Sequence, residues 1–183
     1  MDYESFLNLI KARHSCRSYQ PKDVPEELIV KCLETARLSP SACNKQPWRF
    51  IVVKNKESRE RICLEGILPC LPMPWLKDVP AFIVLCAKTN FAVHRFASFI
   101  SKVDYRQIDI GIAGEHFVLA AQSLGLGTCW IGWFKEKAVK RILKIPSGVK
   151  ILSIISLGYQ SELKEQAQKL PLSSIFSREE WKE

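Results

Sequence analysis

Long apolar runs are missing from this chain: none approaches the ~20 consecutive residues that span a bilayer, so a helical membrane protein is excluded. The opening residues include acidic Asp2 and Glu4 and show no signal-peptide pattern. No CxxC pair occurs, and seven cysteines is an odd number; several sit inside apolar runs such as Ile83-Val84-Leu85-Cys86. Buried thiols in a reducing cytosol fit this better than disulfides or zinc. There is no GxGxxG fingerprint, no internal repeat and no low-complexity linker. Histidine is scarce, with three in the chain; His94 and His116 stand alone and read as structural. A soluble, cytoplasmic protein is expected.

What is present suits one ordinary globular domain, 1–183: 183 residues, 47% hydrophobic, 10% aromatic and 25% charged. A chain of that length buries a sizeable core without staples. The net charge of +8 leaves nucleic acid, an anionic surface or anionic small ligands open. The densest basic stretch, Lys135 to Lys150, also reads as a helix with Ala138, Val139, Ile142 and Leu143 inward and its lysines in water.

Apolar spacing predicts a first helix over Tyr3 to Arg13 and a second after Pro25, ended by Pro40. Glu26 and Glu27 sit in its first turn, where the helix dipole favours anions. Trp48 to Val53 is aromatic and β-branched, hence a strand. A helix over Ser58 to Glu65 follows, then a loop or lid at 68–75 whose three prolines forbid a regular element. Ala81 to Ala87 reads as a buried strand. Asp109 to Leu124 is the strongest helix, apolar on most sides and stopped by Gly125-Leu126-Gly127. Thr128 to Trp133 is a short strand or extended loop, and Val149 to Leu157 an inner strand. A polar tail closes the chain, with a short helix expected at Ser177 to Lys182. Helices and strands mix without strict βα alternation, which gives an α+β fold class.

Three stretches could carry chemistry. Arg13-His14-Ser15-Cys16-Arg17-Ser18-Tyr19 places two guanidiniums, an imidazole and a hydroxyl just after the first helix, a donor set matched to a phosphate. A solvated basic turn fits those residues as well. Ser39-Pro40-Ser41-Ala42-Cys43-Asn44-Lys45-Gln46-Pro47-Trp48 joins a helix end to a strand through small and amide residues. Such a loop can approach a flat ligand, and its amides can both donate and accept; a capped turn anchored by Trp48 is the plainer alternative. Gly125-Leu126-Gly127-Thr128-Cys129-Trp130-Ile131-Gly132-Trp133-Phe134 puts three glycines at a helix-to-strand junction, where backbone N–H groups can be exposed, or where a turn simply leads into a core strand.

In combination and order these stretches resemble the FMN-dependent nitroreductase family, at the compact end of its size range. The resemblance runs from Arg13-His14-Ser15-x-Arg17-x-Tyr19 through Ser39-Pro40-Ser41-Ala42-x-Asn44-x-Gln46-Pro47-Trp48, Asp109-Ile110-Gly111-Ile112-Ala113 and Gly125 to Gly132, to Leu157-Gly158-Tyr159. It implies a three-layer α+β fold, with a central, mostly antiparallel sheet flanked by helices, in an intertwined homodimer with FMN at the interface. The tail, about 160–183, is implied to extend onto the partner subunit. Arg13, Ser15 and Arg17 are implied to hold the FMN phosphate, joined by Lys169 from the tail. His14 is placed at the ribityl chain or pyrimidine edge. Pro40, Ser41 and Ala42 lie along the ring from the other subunit, while Asn44 touches the flavin or holds the loop and Gln46 supports it. Trp130, Ile131 and Gly132 pass beside the ring, with the Gly132 N–H near N5.

The implied activity is hydride transfer from NAD(P)H to nitroaromatic, quinone or activated alkene acceptors, in ping-pong fashion. No side chain is marked as the catalytic acid. Many relatives place a lysine near the flavin pyrimidine, where this chain has Trp75 or its neighbours Pro74 and Lys77. Trp75 or Phe91 could shape the substrate cavity, and the 91–105 segment is the other possible cover. Rival readings are a specialised relative, such as a reductive dehalogenase or flavin-consuming enzyme, and a basic nucleic-acid-binding protein. The expected partners are a second copy and a small-molecule acceptor, with no nucleic acid and no membrane.

Overall fold

The computed structural model describes residues 2–88, 103–162, 164 and 166–181. Phe91, His94 and most of the 91–105 segment lie outside them. The first helix, α1, is Tyr3–Ala12, opened by Asp2, whose Oδ1 accepts the Ser5 N–H at 2.8 Å. Arg13 closes it in an extended conformation and so turns the chain toward the sheet. Helix α2, Glu26–Arg37, ends three residues before Pro40. Asn55 caps α3, Lys56–Arg61, which widens into a π-helical turn at Ile62–Gly66. The prolines do not exclude all regular structure: Pro74 opens a 3-10 turn, Pro74–Asp78, because its missing N–H is not needed at a helix start. Helix α4, Tyr105–Ser123, begins four residues before the expected Asp109. Gly125 follows it with φ +75°, the left-handed step that glycine takes freely. Helix α5 is Glu136–Leu143.

Among the described residues four strands form one sheet: β1 Trp48–Val53, β2 Ala81–Ala87, β3 Leu126–Ile131 and β4 Lys150–Tyr159. Their order is β1-β2-β4-β3, and every pairing is antiparallel. The inner strands are read correctly from sequence: β2 is buried along its whole length, and β4 runs between β2 and β3. Helices α2 and α4 cover one face, where Ile29, Cys32, Ile83, Leu85, Phe117 and Ile155 pack together. The other face carries Phe82, Val84, Ile154, Ile62, Val139 and Ile142 under α3 and α5, together with Cys16 and Tyr19. Each fully buried Ile, Leu or Phe contributes about 1.5–3 kcal/mol, so these two layers hold the sheet between them.

Some expectations are corrected. No helix forms over 177–181; those residues are exposed turns and bends. The tail is less polar in effect than its composition suggests, since Leu170, Leu172, Ile175, Phe176 and Trp181 are all exposed. Four cysteines are buried, yet Cys43 and Cys70 are exposed, and all seven are free thiols. Helix α4 is covered on most sides from residue 112 to 122, where none is exposed, while Tyr105 and Ile108 near its start are exposed. Of the Lys135 to Lys150 stretch, Glu136–Leu143 is a docked helix, while Lys144 closes it and Lys150 opens β4. Lys140, Arg141 and Lys150 are each within 3.0 Å of a carboxylate, Glu136 or Glu65.

Candidate active site

The 13–19 segment lies along the edge of the sheet. Ser15 makes a parallel bridge with Thr128 of β3, and the Cys16 N–H donates to Thr128 O at 2.8 Å. Tyr19 is buried, and its hydroxyl donates to Cys16 O at 2.9 Å while sharing a hydrogen bond with Ser156 of β4 at 2.7 Å. The start of the tail holds the segment from outside. Gln20 N–H donates to Tyr159 O, Ser161 N–H donates to Ser18 O, and the Ser18 and Ser161 hydroxyls meet. Gln166 then donates its amide to Ile10 O at 3.2 Å and to Arg13 O at 2.9 Å. The backbone carrying Arg13, His14, Ser15 and Arg17 is thus fixed from both sides, whereas Ser15 and Arg17 are themselves exposed.

Neither guanidinium is spent on a carboxylate: among the described residues Arg13 and Arg17 form no ion pair. Burial pushes the Cys129 thiol up, and the charges of Arg17 and Arg13 pull it back, which places both arginines beside β3. His14 is 8% exposed. Its Nδ1 donates to Ala12 O at 3.2 Å, which leaves Nε2 as a buried acceptor without a partner among the described residues.

The 39–46 loop is tied to α4. Asp109 is 3% exposed and its Oδ1 accepts the Ala42 N–H at 3.0 Å. Ser39 Oγ hydrogen-bonds His116 Nδ1 at 2.7 Å. Within the loop the Gln46 N–H donates to Ser41 Oγ at 2.9 Å, and the Gln46 amide donates to Asn44 O and Oδ1 at 3.1 Å, the supporting role expected of Gln46. Cys43, Asn44 and Gln46 have φ of 50°, 53° and 47°, a left-handed path with no glycine in it. Among the described residues no hydrogen bond or ion pair joins this loop to the 13–17 segment within one chain.

Trp130 and Ile131 end β3, with Gly132 just beyond. Ile131 is buried; Trp130 is 36% exposed and its ring rests on Gly114 of α4. A Cβ at Gly132 would meet open space. Past it the chain is pinned to the base of the Pro-rich loop, through an Ile67–Phe134 bridge and the Leu68 N–H donating to Trp133 O at 3.2 Å. Trp75 packs instead against Tyr19, ring centroids 6.2 Å apart. Lys169 is exposed on the tail and has no hydrogen bond or ion pair with another described residue. Sequence reasoning missed Asp109, His116 and Gln166 as anchors of these segments. The available signal was a carboxylate on the apolar stripe of α4.

With this geometry in hand, the comparisons are consistent. The profile of the Nitroreductase family matches residues 10–65 and 67–159. A Methanothermobacter thermautotrophicus protein with the provisional name NADH dehydrogenase/NAD(P)H nitroreductase is 38% identical over 160 residues, covering 85% of this chain and 78% of its own length. The Bacillus subtilis protein named FMN reductase (NAD(P)H) is 30% identical over 178 residues, covering 90% of this chain and 70% of its own. The solved structure of an FMN-dependent nitroreductase from Clostridium difficile superimposes with a TM-score of 0.77 at 29% identity, over 94% of this chain and 98% of the other. The chain belongs to the nitroreductase family and has its α+β fold. Among the described residues no helix is long and apolar enough to cross a membrane, and no group of side chains is suited to a metal ion.

The residues present fit FMN. Arg13 and Arg17, in no ion pair among the described residues, and the serine between them supply the donors a phosphate needs. The buried, unpartnered His14 Nε2 supplies an acceptor for a hydroxyl or ring N–H. The open backbone at Gly132 leaves room for a flat ligand.

Proposed function

We propose that the protein is a homodimeric FMN-dependent oxidoreductase that uses NAD(P)H to reduce nitroaromatic, quinone or activated alkene acceptors in a ping-pong cycle. The observation that carries this is the pair Arg13 and Arg17, in no ion pair among the described residues and fixed beside β3 by a backbone bonded on both sides. Arg13, Ser15 and Arg17 hold the phosphate, Lys169 adds a third cation from the tail, and His14 Nε2 accepts from the ribityl chain or the pyrimidine edge. Pro40, Ser41, Ala42 and Asn44 come from the other subunit and line the ring. Trp130 and Ile131 flank it, and the Gly132 N–H donates near N5. FMN, when bound, supplies the hydride chemistry that links nicotinamide to acceptor. The protein supplies the charge balance and the orientation, and the acceptor occupies the same cleft after the nicotinamide leaves.

The dimer is supported by exposed apolar residues at both ends of the chain, Tyr3, Phe6, Leu172, Phe176 and Trp181. One domain of 1–183 whose tail wraps the partner accounts for them. Seven free thiols suit the cytoplasm. The rival nucleic-acid reading is weakened, because Lys140 and Arg141 of its basic helix are paired with carboxylates. Anaerobic stopped-flow tests the proposal: NADH or NADPH bleaches the FMN-loaded protein, and a quinone or nitroaromatic restores the absorbance. A flavin that neither nicotinamide bleaches overturns it.

A further inference from the structure

We propose that Asp109 is a positioning residue for the flavin site: through the Ala42 N–H it holds the 39–46 loop in the shape that lines the ring. This rests on the proposal that Pro40, Ser41, Ala42 and Asn44 line that ring. Asp109 sits on the apolar side of α4, between Ile108 and Ile110, and is 3% exposed. Only one of its oxygens is used. Oδ1 accepts from Ala42 at 3.0 Å, and Oδ2 is buried with no partner among the described residues. A half-satisfied buried carboxylate costs stability, so packing gives no reason for an acid here. Its one bond instead runs to the first residue of the Ala42–Asn44 turn.

A second contact from the same helix supports this role. His116 lies seven residues along α4, hence on the same face as Asp109, and bonds Ser39 at 2.7 Å. The two contacts bracket Pro40 and Ser41. Cys43, Asn44 and Gln46 all take left-handed φ in a loop without glycine, a path that persists only where its surroundings over-determine it. Contacts inside the loop fix its far end, from Ser41 to Gln46; α4 fixes the near end. Without Asp109 the Ala42 N–H loses its acceptor and the turn that presents Ala42 and Asn44 is free to relax.

The test uses full-length protein stripped of flavin and titrated with FMN, alongside amide hydrogen exchange. Removing a charge-assisted bond predicts that D109A weakens FMN binding roughly tenfold or more, while D109N, which keeps an acceptor for Ala42, stays within about threefold of wild type. Exchange at the Ala42 amide accelerates in D109A and not in D109N. A merely structural role lowers the melting temperature and leaves FMN affinity unchanged. FMN binding by D109A within about twofold of wild type, or D109N as weak as D109A, overturns the proposal. Should D109A fail to fold, H116A frees the same loop at Ser39 and carries the test, with weaker FMN binding expected and unchanged binding overturning it. If wild type takes up no FMN, the cofactor assignment itself falls, a result distinct from a clamp that has no effect.

Discussion

Replacing Tyr19 by phenylalanine removes one oxygen from the point where the basic segment meets the sheet. The Tyr19 hydroxyl donates to Cys16 O at 2.9 Å and shares a 2.7 Å hydrogen bond with Ser156. Burial pushes the phenol far above its usual titration range, so the group is neutral at any working pH. In Tyr19→Phe the ring stays buried against Trp75, and the Ser156 hydroxyl still has Cys129 O at 3.3 Å. The Cys16 carbonyl loses the Tyr19 hydroxyl. A buried acceptor left unsatisfied costs about 1–3 kcal/mol, and we expect about 2 kcal/mol here. In a domain of this size that corresponds to a fall in Tm of about 4–8 °C. Urea unfolding of flavin-free protein measures the free energy, at one fixed protein concentration because association shifts apparent stability. Cys16 lies between Ser15 and Arg17, so the same variant should also weaken FMN binding. A loss below about 0.5 kcal/mol, with FMN binding unchanged, would refute the claim that this hydroxyl anchors the segment.

Two more perturbations probe the frame around the site. Burial, the largest single influence on Glu136, pushes its carboxyl up, but Lys150, the Ile151 N–H and Lys140 together hold it at about 2. A pKa depressed in the folded state adds stability above the ordinary value of 4.5, lost as pH falls toward 2. Glu136→Gln should therefore cost about 1 kcal/mol at neutral pH, after allowance for partial exposure, and almost nothing near pH 2. A cost that does not change with pH in denaturation curves would contradict this. Gly114→Ala would set a Cβ against the Trp130 ring and 2.8 Å from Leu85 Cδ2, so overpacking of about 1–3 kcal/mol and a displaced Trp130 are expected. Thermal melts check the first and indole fluorescence the second; no change in either would contradict a close Gly114–Trp130 contact.

The fold was legible where local chemistry and tertiary structure agree. The apolar runs of β1 and β2, the Gly125 stop and the acidic first turn of α2 each have one local explanation, and the structure follows it. The Glu136–Leu143 part of the basic stretch was readable for the same reason, since Val139 and Ile142 dock inward as their spacing requires. Other features were hidden because their causes lie far along the chain. Nothing near Gln166 says that it caps Arg13, and nothing near Ala42 says that its amide meets Asp109, 67 positions away. Left-handed φ at Cys43 and Gln46 contradicts local preference outright and requires those remote contacts. The tail misled because composition averages its lysines and glutamates with Leu172, Phe176 and Trp181, whose exposure matters more. Of the candidate site, the 13–17 segment was visible as chemistry; its support by Thr128, Tyr19 and Gln166 was not.

Titration of flavin-free protein with FMN, read by quenching of flavin fluorescence, tests the central claim most directly. Wild type should saturate at one FMN per chain and turn yellow. Arg17→Ala should lose at least tenfold in affinity, as removal of a charged phosphate contact requires, while Lys140→Ala, at the distant basic helix, leaves it unchanged. Absence of saturable binding, or equal loss in both variants, would contradict the account.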